Sequence, residues 1–270
     1  VLSACSGGPY PLCDVKTLFP DPPRPLDATY QVDGRTLHYV EMPGSEQTRI
    51  LFIHGSPGSW EAWAAYLRDP ALQRMGTLIA PDRAGYGRSV GAADPNMAAQ
   101  GRLLAPLLGK GEASTIVVGH SLGGPIAAQL ALDYPGQVRA AVLIAPSMAP
   151  EYEHPRWYNL LGDTWIARWL APDELLKSNA EMLPLREELQ ALMPRWSSLR
   201  VPTVVIQGEH DRLVDPRTAD FAERVLPARW ARIERLADAG HFVLWKQPQI
   251  VVDAIQAVNQ RALLGTQHLP

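Results

Sequence analysis

Ser121 is the residue whose neighbours best prepare it for covalent chemistry. It stands in Gly119-His120-Ser121-Leu122-Gly123-Gly124, after a β-branched run at 114–118 and before an Ala- and Leu-rich stretch at 125–132. The first stretch reads as a buried strand and the second as a helix. A serine with glycine two residues to either side, between strand and helix, forms a nucleophile elbow. The turn is sharp enough to strain the serine backbone, and β-carbons at the flanking positions would strike the crossing chain. The helix that follows directs N–H groups and its positive dipole end at charge developing beside the hydroxyl. A neutral alcohol is a poor nucleophile, so the chemistry needs a base to take its proton and donors to hold the oxyanion that forms.

Seven histidines can compete for the role of base. His241, in Ala239-Gly240-His241-Phe242, follows the last expected strand in a loop that Gly240 lets turn tightly. Imidazole titrates near neutrality and can return the proton to a leaving group. Asp211 and Asp215 both follow the apolar run at 201–208, and either could orient that imidazole and stabilise its protonated form. His54, His120 and His210 read as bracing or loop residues, and His38, His154 and His268 as surface or packing residues. Asp82 reads as a strand-end carboxylate bracing a turn against Arg83 or Arg88.

The elements that must position these groups follow from periodicity. Residues 30–32 and 36–40 flank Asp33-Gly34 and read as a hairpin. Apolar runs at 49–53, 77–80, 114–118, 138–145, 201–208 and 230–235 read as strands, and helices are expected near 60–67, 100–108, 125–132 and 248–264. This alternation predicts an α/β fold whose mostly parallel central sheet is covered by helices on both faces. It breaks at 147–199, after the sixth strand, in a segment holding Trp157, Trp165, Trp169 and Trp196 with Tyr152 and Tyr158. An insertion after a strand's carboxyl end lies over the ligand crevice, so 147–199 reads as a small helical lid. Most of its aromatics are expected to pack on one another, while one or two line an apolar pocket. The resulting division is an N-terminal arm or tether at 1–26, a core at 27–146 and 200–270, and the lid. Gly85-Tyr86-Gly87-Arg88-Ser89-Val90-Gly91 looks superficially like a dinucleotide loop, but Asp82 precedes it and no helix opens on its glycines.

Bulk composition narrows the classes further. With 46% hydrophobic and 20% charged residues, the 270-residue chain is globular and long enough for a sizeable core. A net charge of −3 without a block of Lys or Arg argues against nucleic acid as a partner. No apolar run approaches the roughly 20 residues of a membrane-spanning helix. Cys5 and Cys13 make no zinc pattern, and whether they pair is left open by their spacing.

Together, the elbow, His54-Gly55-Ser56-Pro57-Gly58, Gly208-Glu209-His210-Asp211 and Ala239-Gly240-His241-Phe242 make the chain resemble the α/β-hydrolase superfamily from about Tyr30 to Leu264. The order Ser, Asp, His is the order that superfamily uses. The resemblance implies Ser121 as nucleophile, His241 as base and Asp211, rather than Asp215, as the acid. It implies an oxyanion hole made by the N–H groups of Ser56 and Leu122, with Pro57 holding the loop's shape. Haloalkane dehalogenases and epoxide hydrolases of the superfamily use aspartate at the elbow, which Ser121 argues against. The expected function is hydrolysis of a small to medium apolar carboxylic ester through an acyl-enzyme, with no cofactor and no metal. Substrate contacts are expected from Trp157, Trp165 and Phe242. Carbon–carbon bond hydrolase, perhydrolase, thioesterase, lactonase, aminopeptidase and non-catalytic ligand-binding members share the pattern, and oligomeric state is not readable from it.

The start at Val1 rather than methionine carries the expectation of processing upstream. Val1-Leu2-Ser3-Ala4-Cys5 resembles the lipobox that ends a bacterial lipoprotein signal peptide. That resemblance implies a lipid anchor at Cys5, a Pro-rich tether after it, and a place in the bacterial cell envelope. An ordinary N-terminal arm on a cytoplasmic protein is the alternative.

Overall fold

A computed structural model describes residues 14–45, 48–111, 114–154 and 172–266. Cys5 and Cys13, with the lipobox, and Trp157, Trp165 and Trp169 lie outside the described residues. Eight strands form one sheet: β1 (Leu26–Val32), β2 (Arg35–Met42), β3 (Arg49–Ile53), β4 (Thr77–Pro81), β5 (Thr115–His120), β6 (Val138–Ile144), β7 (Thr203–Gly208) and β8 (Ala231–Leu236). Their spatial order is β1-β2-β4-β3-β5-β6-β7-β8. β1 and β2 pair antiparallel through the Asp33-Gly34 turn, whose two residues have φ of 47° and 73°. Positive φ at both central positions gives a turn whose twist matches that of the strands it joins. β2 is antiparallel to β4, and every later pairing is parallel.

β3 to β7 are buried without alternation because both faces are covered. Successive residues of each serve opposite layers. Ile50, Phe52, Val118 and Val142 face Trp60, Trp63 and the closing helix. Leu51, Ile53, Val117 and Leu143 face the helix after β5 and the segment between β6 and β7. The helices used below are α1 (Met97–Leu104), α2 (Gly123–Asp133), α3 (Asp173–Met182), α4 (Leu185–Leu192), α5 (Thr218–Val225) and α6 (Pro248–Thr266). α1 starts earlier than periodicity predicts because Asn96 caps it, accepting from the Ala99 N–H at 2.8 Å. It tightens into a 3-10 turn at Ala105–Leu107, where Pro106 has no N–H to continue the ladder.

Two features of this topology gather the chemistry. From β3 the chain passes to β4 on one side and then crosses to β5 on the other, so the carboxyl ends of β3 and β5 flank a switch point. The parallel strands β5, β6, β7 and β8 all end at the same edge of the sheet. Between β6 and β7, α3, α4 and a 3-10 helix at Met193–Ser198 are added. Leu185, Leu189, Leu192 and Trp196 of this insertion pack into the same core layer as α2, so Trp196 is a packing residue.

Candidate active site

The elbow is built by close approach. A β-carbon at Gly119 would lie 2.0 Å from the Gly123 carbonyl oxygen, and one at Gly123 would lie 2.2 Å from that of Ile53. Only hydrogen fits there, and it lets α2 start directly against β3 and β5. Between these glycines Ser121 takes a φ of 53°, in the left-handed region where a side chain costs about 1–3 kcal/mol. Its backbone is held on both sides: the Ser121 N–H donates to the Ile144 carbonyl at 2.9 Å, and its own carbonyl accepts from Gly124 and Ser147.

The loop after β3 runs beside this turn, with Gly55 next to the Ser121 β-carbon. Among the described residues, neither the Ser56 N–H nor the Leu122 N–H has a hydrogen-bond partner. Leu122 is buried and stands at the start of α2, where backbone donors are left over by the helix itself. The peptide between Ser56 and Pro57 is cis.

Asp211 and His241 meet from the ends of β7 and β8. His241 Nδ1 donates to Asp211 Oδ2 at 2.8 Å, and both groups are buried. Asp211 Oδ1 accepts the N–H groups of Leu213 at 2.8 Å and Val214 at 2.9 Å, and Gln207 Nε2 reaches Oδ2 at 3.3 Å. Burial pushes the Asp211 carboxyl up, but the His241 hydrogen bond and charge and the two backbone donors outweigh it and hold it below its ordinary value. Asp215 does not join them. It pairs with Arg217 at 2.6 Å near the surface.

The other histidines separate by their partners. His120 Nε2 donates to the His241 carbonyl at 3.0 Å, and the two rings lie 4.7 Å apart. Burial, then the nearby His241, pushes His120 down to about 3, so it is neutral. His54 accepts the Arg83 N–H on Nε2 at 2.9 Å, so its proton sits on Nδ1 and is donated to the Gly55 carbonyl at 2.7 Å. Burial and the Arg83 charge hold His54 well below the ordinary imidazole value. His38 departs from a surface or packing role. It is buried between Asp82, at 2.7 Å, and Asp27, at 2.9 Å. Burial lowers it, but the two carboxylates outweigh that and raise it. Asp82 braces its turn through the N–H groups of Trp60 and Arg88 rather than through an arginine side chain.

Phe242 stands beside His241, ring centroids 5.6 Å apart, and packs on Trp245 at 5.5 Å. Phe242 is 46% exposed and Trp245 48%, so the rim beside the imidazole is aromatic.

One group of residues was not singled out by the motifs. Arg83 and Glu181, each 1% exposed, form an ion pair between the end of β4 and α3, joined by Gln100 of α1 and by Tyr86. Among the described residues, no cluster of three or more His, Cys, Asp or Glu is arranged to hold a metal ion.

The sequence model described as "Alpha/beta hydrolase family" matches residues 50–254. The dihydrolipoyllysine-residue acetyltransferase component of the acetoin cleaving system of Cupriavidus necator is 38% identical over 130 residues, 44% of this chain and 32% of that protein. Lipase LipV of Mycobacterium tuberculosis is 37% identical over 115 residues, 42% of each chain. The chain thus spans less than half the length of these curated relatives. The solved structure of epoxide hydrolase CorEH superposes with a TM-score of 0.65 at 20% identity, covering 89% of this chain and 99% of that one.

Proposed function

Since the chain belongs to the alpha/beta hydrolase family and has its fold, we propose that it is a serine hydrolase that cleaves a small to medium apolar carboxylic ester by a Ser121–His241–Asp211 triad. The observations that carry this reading are the His241–Asp211 bond of 2.8 Å and a serine held in a strained elbow. With Nδ1–H committed to Asp211, the lone pair of His241 is on Nε2, the nitrogen able to take a proton from Ser121. Ser121 Oγ attacks the ester carbonyl carbon while His241 accepts its proton, and the carbonyl oxygen becomes an oxyanion. Among the described residues the Leu122 and Ser56 N–H groups have no partner to give up, and they are the donors for that charge, worth about 3 kcal/mol each. Collapse of the intermediate expels the alcohol, which takes the proton from His241 and leaves an acyl-Ser121 ester. Water then attacks that ester with His241 again as base, and the carboxylic acid departs.

The nucleophile's chemistry argues against epoxide opening. A serine oxygen adding to an epoxide carbon would leave an ether, which water does not cleave under mild conditions, so the enzyme would stop after one event. An acyl-serine ester turns over. Phe242, exposed beside His241, supplies an apolar contact for the substrate, and 147–199 acts as the lid, with Trp157 and Trp165 as further contacts. A lipid on Cys5 would place the chain in the bacterial envelope. Palmitate labelling of the full-length protein that disappears in Cys5→Ser supports the anchor, and absence of labelling rejects it.

Labelling with a fluorophosphonate probe tests the proposed function. The unmodified protein should label stoichiometrically, Ser121→Ala not at all and His241→Ala much more slowly. A folded protein that takes no label would reject the serine hydrolase reading.

A further inference from the structure

We infer that Arg83 and Glu181 are positioning residues through which α3 of the insertion aims the oxyanion donor of Ser56, an inference that rests on the serine hydrolase reading. All five N–H bonds of the buried Arg83 guanidinium are used. Nε donates to the His54 carbonyl at 3.0 Å, and NH2 donates to the Gly55 carbonyl at 2.9 Å and to Glu181 Oε2 at 3.1 Å. NH1 donates to Glu181 Oε1 and to Gln100 Oε1, each at 2.5 Å. Two of the five bonds therefore end on the backbone of the loop after β3.

The choice of carbonyl is what matters. The Gly55 C=O and the Ser56 N–H belong to one planar peptide, in which oxygen and hydrogen point in opposite directions. Arg83 and His54 Nδ1 both hold the Gly55 oxygen, at 2.9 Å and 2.7 Å. Fixing that oxygen fixes the direction of the Ser56 N–H, away from Arg83. Donation to the carbonyl also polarises the peptide and strengthens its N–H as a donor.

Arg83 is itself held by the insertion. Glu181 accepts from Arg83 on both oxygens, from Gln100 Nε2 at 3.0 Å and from the Tyr86 hydroxyl at 2.7 Å. That hydroxyl lies 2.9 Å from Ser56 Oγ, and Ser56 Oγ lies 3.1 Å from Ser178 Oγ. Ser178 is three residues before Glu181 on α3, hence on the same face. One helix face thus grips the loop twice, through Arg83 on the Gly55 carbonyl and directly on the Ser56 side chain. The Glu181 carboxylate is filled by these donors and acts through the loop.

A purely structural ion pair would contribute only to stability, and the two roles separate in the double variant Arg83→Met/Glu181→Met. It removes both charges together and keeps side-chain volume, so no buried charge is left unpaired. Fluorophosphonate labelling rate, kcat and KM on a p-nitrophenyl ester, and melting temperature are measured for this variant and for Tyr86→Phe with Ser178→Ala, which loses only two hydroxyls. A positioning role predicts at least about a tenfold fall in labelling rate and kcat for the charge-free variant, since small misplacements near a reacting centre cost up to roughly a hundredfold. KM should stay within about threefold of the parent's. The hydroxyl variant should show a smaller fall, also in kcat. The inference is overturned if the charge-free variant melts with the parent and labels within twofold of it. Should the charge-free variant not fold, unchanged kcat in the hydroxyl variant overturns the inference equally. A folded parent that takes no label overturns the serine hydrolase reading and this inference together, whereas a labelled parent with equally labelled variants overturns this inference alone.

Discussion

Asp211→Asn tests the assignment of the acid most directly, because every hydrogen bond of the Asp211 carboxylate comes from a donor. One carboxylate oxygen accepts two backbone N–H groups, and the other accepts His241 Nδ1 and Gln207 Nε2. An asparagine in this place keeps its oxygen on the Leu213 and Val214 N–H groups, which cannot turn away. Its NH2 group then faces His241 Nδ1, and two donors cannot share a hydrogen bond. His241 is driven to the other tautomer, with its proton on Nε2, so the nitrogen proposed to take the Ser121 proton no longer accepts. Loss of the general base in this manner costs about 10⁴ in kcat, or about 5 kcal/mol of barrier. Overall geometry survives, because the shape and two of the four hydrogen bonds are kept. Asp215→Asn is the control: its partner Arg217 is at the surface, and kcat should stay within about twofold. Hydrolysis of a p-nitrophenyl ester, with labelling rate as a second readout, measures both. Retention of more than a tenth of the activity by Asp211→Asn, or an equal loss in Asp215→Asn, would refute the reasoning.

His38→Gln leaves the buried Asp82 carboxylate without its counter-charge and should cost about 3–5 kcal/mol at pH 6. Because His38 is raised in the folded protein, its contribution is full below the unfolded value of 6.5 and is lost as pH rises through the folded value, so the gap in melting temperature between parent and variant should narrow at alkaline pH. A gap that does not change with pH would contradict this. His120 is held near 3, so its contribution is present above 6.5 and is lost as pH falls, by about 2 kcal/mol at pH 5. His120→Asn should therefore lose less melting temperature than the parent between pH 7 and pH 5, and equal losses would count against a neutral, buried His120. Gly123→Ala presses a methyl group on the Ile53 carbonyl, which as backbone cannot swing aside, and should cost about 3 kcal/mol or more together with the labelling of Ser121. Normal melting and labelling in that variant would show that the elbow has slack the close contact denies.

How far each feature could be read in the amino-acid sequence depends on how local its cause is. Asp33-Gly34 announces its turn because two positive φ values are a property of those two residues. Gly119 and Gly123 mark close approach in the same way, since the colliding atoms belong to the turn itself or to the adjoining strand. The unbroken apolar runs at β3 to β7 report cover on both faces without revealing what covers them. The start of α1 was marked as well, by Asn96, although apolar periodicity alone placed it later. Buried charge is the opposite case. Arg83 and Glu181 are 98 positions apart, and each in its own stretch is indistinguishable from a solvated surface residue. His38 is hidden likewise, because one of its two carboxylates arrives from the end of β4, 44 positions away. A burial cost of several kcal/mol per ion must be met by a partner, and the partner is supplied by topology rather than by spacing. This has a consequence for the site. The proposed reacting groups stand on core loops with local signatures, while Glu181, the carboxylate that holds Arg83, comes from an insertion with none. A different insertion grafted on this core would keep Ser121, His241 and Asp211 in place. It would leave Arg83 buried without Glu181, and a guanidinium so stranded has reason to pull on the loop carbonyls or to swing out toward water. Either movement turns the Gly55–Ser56 peptide, so on the proposed reading the insertion bears on the rate of the chemical step.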